Sequence, residues 1–362
     1  MILAKILFRS KCSACSLIVI LCLFLPNLAA IAQVNDQTST LAEATAEQNI
    51  IYVDPQLGND TQNTGNRESP FKTITQALKI ARSGTTIKLA PGTYSVETGE
   101  TFPIILQEQV TIEGSIDSQG YNTIIRGEGY FISHTGAGQS VTIAALKNAG
   151  GITGVTLTNP DNRGHGLWIE SASPKVSHNT FTRNGNTGVS VNGLSSPAIT
   201  NNYFYNNSGN GLLIYDNSQP QVIDNLFERT GFGVSIVRNS AAILTGNRFI
   251  GNRIGIILEN SAQGTFRNNQ IETSQETGLV AISQSRVDLG TTNNPGNNIF
   301  RSNNKLDIQN ASDNQITAVG NQINGNTEGN IDLNSANNSP VTIAAVISAP
   351  GPRAAWRGAG WE

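Results

Sequence analysis

Short runs of alternating apolar and polar residues recur along the chain between about residues 150 and 335. Lys175-Val-Ser-His, Gly188-Val-Ser-Val and Gly211-Leu-Leu-Ile are examples. Alternation at period two predicts strands, not helices. The runs are locked to a repeat. Asn179, Asn202, Asn225, Asn247 and Asn269 are separated by 23, 23, 22 and 22 residues. Two residues after each come Phe181, Phe204, Phe227, Phe249 and Ile271, and then Gly188, Gly211, Gly233, Gly255 and Gly278. Pro174, Pro197 and Pro220 share the period before it drifts. Asn298 with Phe300 and Asn321 with Ile323 continue the pattern after an insertion around Leu289 to Gly296. Three short strands and their turns fill a unit of about 22 residues.

One such unit cannot bury its own apolar face, whereas stacked units can. Each strand then lies parallel to its copy one coil along. The pattern therefore predicts an all-β fold: a single-stranded right-handed parallel β-helix, with three strands per coil. Stacking puts like side chains about 4.8 Å apart, so the Asn column becomes a ladder of amide hydrogen bonds. Asn179, Asn202, Asn225, Asn247 and Asn269 are read as that structural ladder, above a stacked Phe column. Open coil ends need a cover. Pro70 followed by Ile74, Ala77, Leu78 and Ala81 on one face predicts a short capping helix near 71–82, stopped by Ser83-Gly84. Thr86 to Leu89 would be the first strand.

Outside the helix the chain divides simply. Lys5, Arg9 and Lys11, the apolar stretch Leu17 to Leu25 and Ala30-Ile31-Ala32 form a secretory signal over 1–32, cleaved after Ala32. Residues 33–49 read as a flexible spacer, 50–338 as the β-helix domain with regular coils over 150–335, and 339–362 as a disordered tail. This places the protein in the secreted, periplasmic or cell-surface compartment, as a monomer with no transmembrane domain after cleavage. All three cysteines, Cys12, Cys15 and Cys22, fall in the leader, so the mature chain has no thiol or disulfide.

Composition excludes several classes. Of 362 residues, 42 are Asn and 36 Gly, and only 14% are charged, which argues against helical bundles and coiled coils. Setting aside the three basic residues of the leader takes the net charge from −3 to −6, so nucleic acid is not an expected partner.

The N-terminal part carries Tyr52-Val-Asp, Gly58-Asn-Asp, Pro70-Phe-Lys-Thr-Ile-Thr-Gln-Ala-Leu, Thr86-Ile-Lys-Leu-Ala-Pro-Gly-Thr-Tyr and Gly99-Glu-Thr-Phe-Pro. In these it resembles a bacterial domain-of-unknown-function family that opens such helices. The chain as a whole resembles the pectate-lyase-like superfamily of parallel β-helices. The resemblance implies export and a carbohydrate partner; it implies catalysis less directly.

In that superfamily the substrate groove runs along one parallel sheet, and the strand after the repeat Gly is the candidate. With Leu167, Ile169, Val189, Val191, Leu212 and Ile214 inward, two outward columns follow. One holds Trp168, Ser190, Leu213, Ser235 and Ile257; the other holds Glu170, Asn192, Tyr215, Val237 and Glu259, with Asp216 and Arg238 just past it. Trp168, Glu170, Asn192, Tyr215, Asp216 and Arg238 are thus the candidate carbohydrate-binding residues. Trp168 and Tyr215 could stack on sugar rings, the others could bond hydroxyls or carboxylates. Glu170 and Glu259 lie four coils apart, about 19 Å, too far for paired carboxyl catalysis. Glu170 and Asp216, about 10 Å apart, are marginal for it. No acidic cluster supports calcium, no metal site is evident and no cofactor is called for. Gly164-His165-Gly166 is similar to a polygalacturonase motif, but His165 aligns with Thr187, Asn210, Phe232, Ile254 and Thr277, so its glycines belong to the repeat. Three readings stay open: polysaccharide binding without chemistry, a lyase or hydrolase acting on an acidic glycan, and a structural cell-surface protein.

Overall fold

The computed structural model describes residues 49–133 and 138–333. The leader, residues 33–48 of the spacer and the tail lie outside the described residues. The rest is a parallel β-helix of about 10 turns. Each coil adds one strand to each of three sheets, of 12, 10 and 11 strands. In one coil these are Lys175–Ser177 in sheet 1, Thr180–Thr182 in sheet 2 and Thr187–Asn192 in sheet 3. Among the described strands all neighbours pair in parallel except Tyr130–Ile132, which pairs antiparallel with Gly138–Ser140.

The repeat columns explain why the coils close. Asn202 Oδ1 accepts from both the backbone N–H (3.0 Å) and Nδ2 (3.1 Å) of Asn179, while Asn202 Nδ2 donates to Val176 O at 2.9 Å. The same rung recurs through Asn225, Asn247, Asn269, Asn298 and Asn321, with amide–amide distances of 2.8–3.0 Å. Buried amides demand partners, and here both ends of each are satisfied. The residue before each rung, such as His178, Asn201, Asp224 or Asn268, takes a left-handed φ of 51–73° that turns the corner. Next to the ladder Phe181, Phe204, Phe227 and Phe249 stack with centroids 4.5–5.0 Å apart and planes within 16°. The core is filled by this stack and by inward Val, Ile and Leu from all three sheets.

The repeat Gly has a steric cause. A Cβ at Gly211 would lie 2.8 Å from the Phe227 ring and 2.7 Å from Gly233 O. Gly188 likewise points at Phe181 and Phe204, and Val189 after it is also in the core. Two successive inward positions recur in the sheet 3 strands that carry the repeat Gly, from Gly166 to Gly278. The outward set is therefore Thr187, Ser190 and Asn192, and one coil earlier His165, Trp168 and Glu170.

The N-terminal cap differs in detail from the sequence reading. Helix α1 spans only Ile74–Ile80. Asp60 accepts from the backbone N–H of Lys72 and Thr73 and holds the chain extended there. Ala81 ends α1 at ψ 144°, before Ser83-Gly84 is reached. The first strand is Ile50–Val53, paired with Thr86–Leu89 in sheet 1, so the chain enters the helix one strand earlier than expected.

Candidate functional site

The outward face of sheet 3 carries the candidate residues, and the structure divides them into two groups. The first is Tyr215, Asp216 and Arg238. Asp216 and Arg238 occupy successive coils at the corner that leaves sheet 3, with φ of 61° and 62°. The Arg238 guanidinium lies over the Tyr215 ring at 4.4 Å and bonds Asp216 Oδ1 at 3.0 Å. Its side chain is 57% exposed. A guanidinium held by a ring face and one carboxylate oxygen keeps N–H donors for an external acceptor.

The opposite rim has a matching arrangement that sequence reasoning did not single out. Arg253 lies over the Phe232 ring at 4.5 Å and pairs with Glu276 at 3.5 Å. Lys305 bonds the other Glu276 oxygen at 3.0 Å. The signal was present: Phe232 is the aromatic member of the column that begins with His165. Between the rims, Leu213, Ser235 and Ile257 form a sheltered floor in register across three coils.

The second group is covered. Trp168 and Glu170 point away from the core, yet they are only 6% and 3% exposed. Trp168 packs in a separate cluster with Val141, Ala144, Leu146 and Phe131. Its Nε1–H donates to Glu170 Oε2 at 3.0 Å, and the Ser133 hydroxyl donates to the same oxygen at 2.8 Å. The expected open face is thus closed at this end. The sequence shows the outward direction of Trp168 but not the segment that crosses above it. Asn192, in register with Glu170, is also buried and bonds Ile169 O at 3.2 Å and Ser190 Oγ at 3.1 Å. His165 meets Trp168 edge to face at 5.1 Å. Its burial lowers its pKa to about 4, so the ring is neutral near pH 7.

Two other surfaces were missed as well. A second amide ladder links Asn184 Nδ2 to Asn207 Oδ1 at 2.8 Å, with Asn252 and Asn303 further along the same corner. On sheet 2, Glu272 bridges Arg248 at 2.7 Å and Arg301 at 2.6 Å. Burial raises the Glu272 pKa, but the two guanidinium bonds outweigh it and the carboxyl sits below its ordinary value. Among the described residues no group of three or more His, Cys, Asp or Glu is placed to hold a metal ion. Nor is any described helix long and apolar enough to cross a membrane.

The family profile described as "Protein of unknown function (DUF1565)" matches residues 56–202 and 193–328. The chain belongs to this DUF1565 family. No curated protein matches it. Among solved structures, this DUF1565 chain is similar to pectate lyase Pel9A, at 16% identity over 78% of each chain with a TM-score of 0.53. It also matches XylC in complex with xylose, at 12% identity over 77% of this chain and 69% of that one, TM-score 0.49. The alginate lyase from Paenibacillus sp. str. FPU-7 matches at 16% identity over 78% and 98%, TM-score 0.39. The likeness to pectate lyase Pel9A shows the fold: a pectate-lyase-like right-handed parallel β-helix.

Proposed function

We propose that this protein is exported and binds a polysaccharide across the outward face of sheet 3, over the coils that carry Asn210–Ile214, Phe232–Val237 and Ile254–Glu259. The observation that carries the reading is the pair of rims: Arg238 on Tyr215 at one side, Arg253 on Phe232 at the other, with a sheltered floor between. Each guanidinium is oriented by a ring and a carboxylate and keeps donors for sugar hydroxyls or carboxylates. The coil rise of about 4.8 Å is comparable to the length of a pyranose unit, so a chain lying along the helix axis would meet one coil per sugar. The name of the fold relative, a pectate lyase, supports a glycan as partner. The basic, apolar and small-residue order of the leader supports export.

The geometry changes the expected mode of contact. With the Tyr215 face occupied by Arg238, the open site favours charge-assisted hydrogen bonding over ring stacking. The test is a glycan array on the purified protein, with and without calcium, followed by reducing-end and unsaturated-product assays on each hit. Arg238→Ala is expected to lower retention of the bound glycan about tenfold, the loss of one charged hydrogen bond. Unchanged retention in Arg238→Ala and in Arg253→Ala would place the glycan elsewhere and sink this reading. Product release would make the protein an enzyme.

A further inference from the structure

The segment over Trp168 is built unlike the rest of the molecule. In the preceding coil an extra strand, Tyr130–Ile132, follows Thr123–Arg126 of sheet 2 ahead of the sheet 3 strand Gly138–Leu146. Strand Tyr130–Ile132 is held to the helix by three antiparallel register pairs, whereas the strand it joins, Gly138–Leu146, has six parallel pairs with Gly164–Glu170. Gly127 and Gly129, the latter at φ 116°, lead into it. The strand also runs against the usual burial pattern. Tyr130 and Ile132 are 72% and 69% exposed, and Phe131 between them turns inward onto Trp168.

What lies beneath looks like a site already filled by the protein's own chain. The Phe131 ring sits 6.4 Å from Trp168, and the Ser133 hydroxyl donates to Glu170 Oε2. Two buried polar atoms on the same face have no partner: Glu170 Oε1 and His165 Nδ1. Leaving such groups unpaired is costly, and a fixed piece of core would be expected to satisfy them. A pyranose has an apolar C–H face and a rim of hydroxyls. It would replace Phe131 on Trp168, replace Ser133 on Glu170, and supply donors and acceptors to the two orphaned atoms.

We propose that Tyr130–Ser133 is a displaceable strap occupying a second sugar site, formed by Trp168, Glu170 and His165, as an internal stand-in for the ligand. The proposal rests on the glycan reading above and extends it from the open coils to the closed ones. Free and strapped forms compete, so apparent affinity at this site is the intrinsic affinity scaled by the open fraction. A three-residue strand paired through only three register positions at the margin of a sheet is the kind of element that opens locally.

The test uses the full chain carrying Trp356→Phe and Trp361→Phe, so that Trp168 alone fluoresces. Acrylamide quenching is measured with and without Phe131→Ala/Ser133→Ala. Retention of polygalacturonate and of xylo-oligosaccharides is measured in parallel. The strap predicts that quenching rises about fivefold in the double variant and that retention of one of the two probes rises about tenfold. Adding Trp168→Phe should return that retention to the starting level. Ser133→Ala alone, which removes one hydroxyl at little risk to folding, should move both readouts in the same direction by a smaller factor. If Trp168 stays shielded in the double variant, the strap is a fixed part of the packing and the proposal fails, whatever Arg238→Ala does. Unshielding with no gain in retention overturns it equally. Loss of retention in Arg238→Ala without any gain in the strap variants leaves the open-face reading standing and removes only the strap.

Discussion

At the residue scale the decisive features are buried polar atoms and whether they find partners. Asn225 holds five contacts: it accepts from the N–H and Nδ2 of Asn202 and donates to Ile199 O, Ile223 O and Asn247 Oδ1. Asn225→Ala strands the groups on both neighbouring coils, and the expected cost is about 2–4 kcal/mol by urea denaturation. His165 behaves differently because its environment favours the neutral ring. Its pKa falls from the ordinary 6.5 to about 4 through burial. The folded state therefore binds the proton less readily than the unfolded one. Stability is complete above pH 6.5 and is lost as the pH falls from 6.5 to 4, by about 3 kcal/mol at the end of that window. Glu170, on the same outward face, is the carboxyl of strand Gly164–Glu170. His165→Gln should flatten the pH dependence of the urea midpoint across this range; an unaltered slope would show that other groups set it.

At the element scale the repeating sheet 3 strands, those with Gly166, Gly188, Gly211, Gly233, Gly255 and Gly278, are each shaped by one residue with no side chain. Gly211→Ala places a methyl against Phe227 and the Gly233 carbonyl, and backbone cannot withdraw within a stacked coil. The expected cost is about 1–3 kcal/mol, read as a lower thermal midpoint. The capping helix shows the same logic with a charge. Glu100 receives the N–H groups of Ile74 (2.6 Å) and Thr75 (2.9 Å) and the Thr75 hydroxyl (2.6 Å), while Thr73 accepts from Gln76 N–H at 3.0 Å. Burial raises the Glu100 pKa, partly offset by these donors. That carboxylate comes from 26 residues away in the sequence. It explains how a helix of seven residues is fixed at the end of the coils, and no local signal around Ile74 announces it.

At the scale of the molecule, scaffold and surface are separable. Deleting residues 202–224 removes one 23-residue coil and brings Asn225 under Asn179 and Phe227 under Phe181, so every column stays in register. A near-additive repeat array tolerates such a loss. The shortened chain should keep its β circular dichroism and unfold cooperatively, with the denaturant slope reduced by roughly a tenth or less. It lacks Tyr215 and Asp216, so glycan retention on the open face should fall as it does in Arg238→Ala. Loss of folded structure instead would mean that the coils are not interchangeable.

The coil follows from the spacing of residues along the chain. Like residues recurring every 22 or 23 positions can only stack on themselves, so the Asn ladder, the Phe stack and the inward faces of three sheets follow from spacing alone. The second ladder, Asn184 with Asn207 and then Thr230 with Asn252, was legible by the same rule. Outward direction was legible too, since alternation fixes which side of a strand a residue leaves by. What covers an outward residue was not. Trp168 is shut in by Phe131 and Ser133, Tyr215 is capped by Arg238, and Arg253 is turned onto Phe232. These contacts join residues of different coils, or of an excursion outside the repeat, and no period specifies them. They arise from packing in three dimensions, because they depend on where non-repeating side chains come to rest once the repeating ones have stacked.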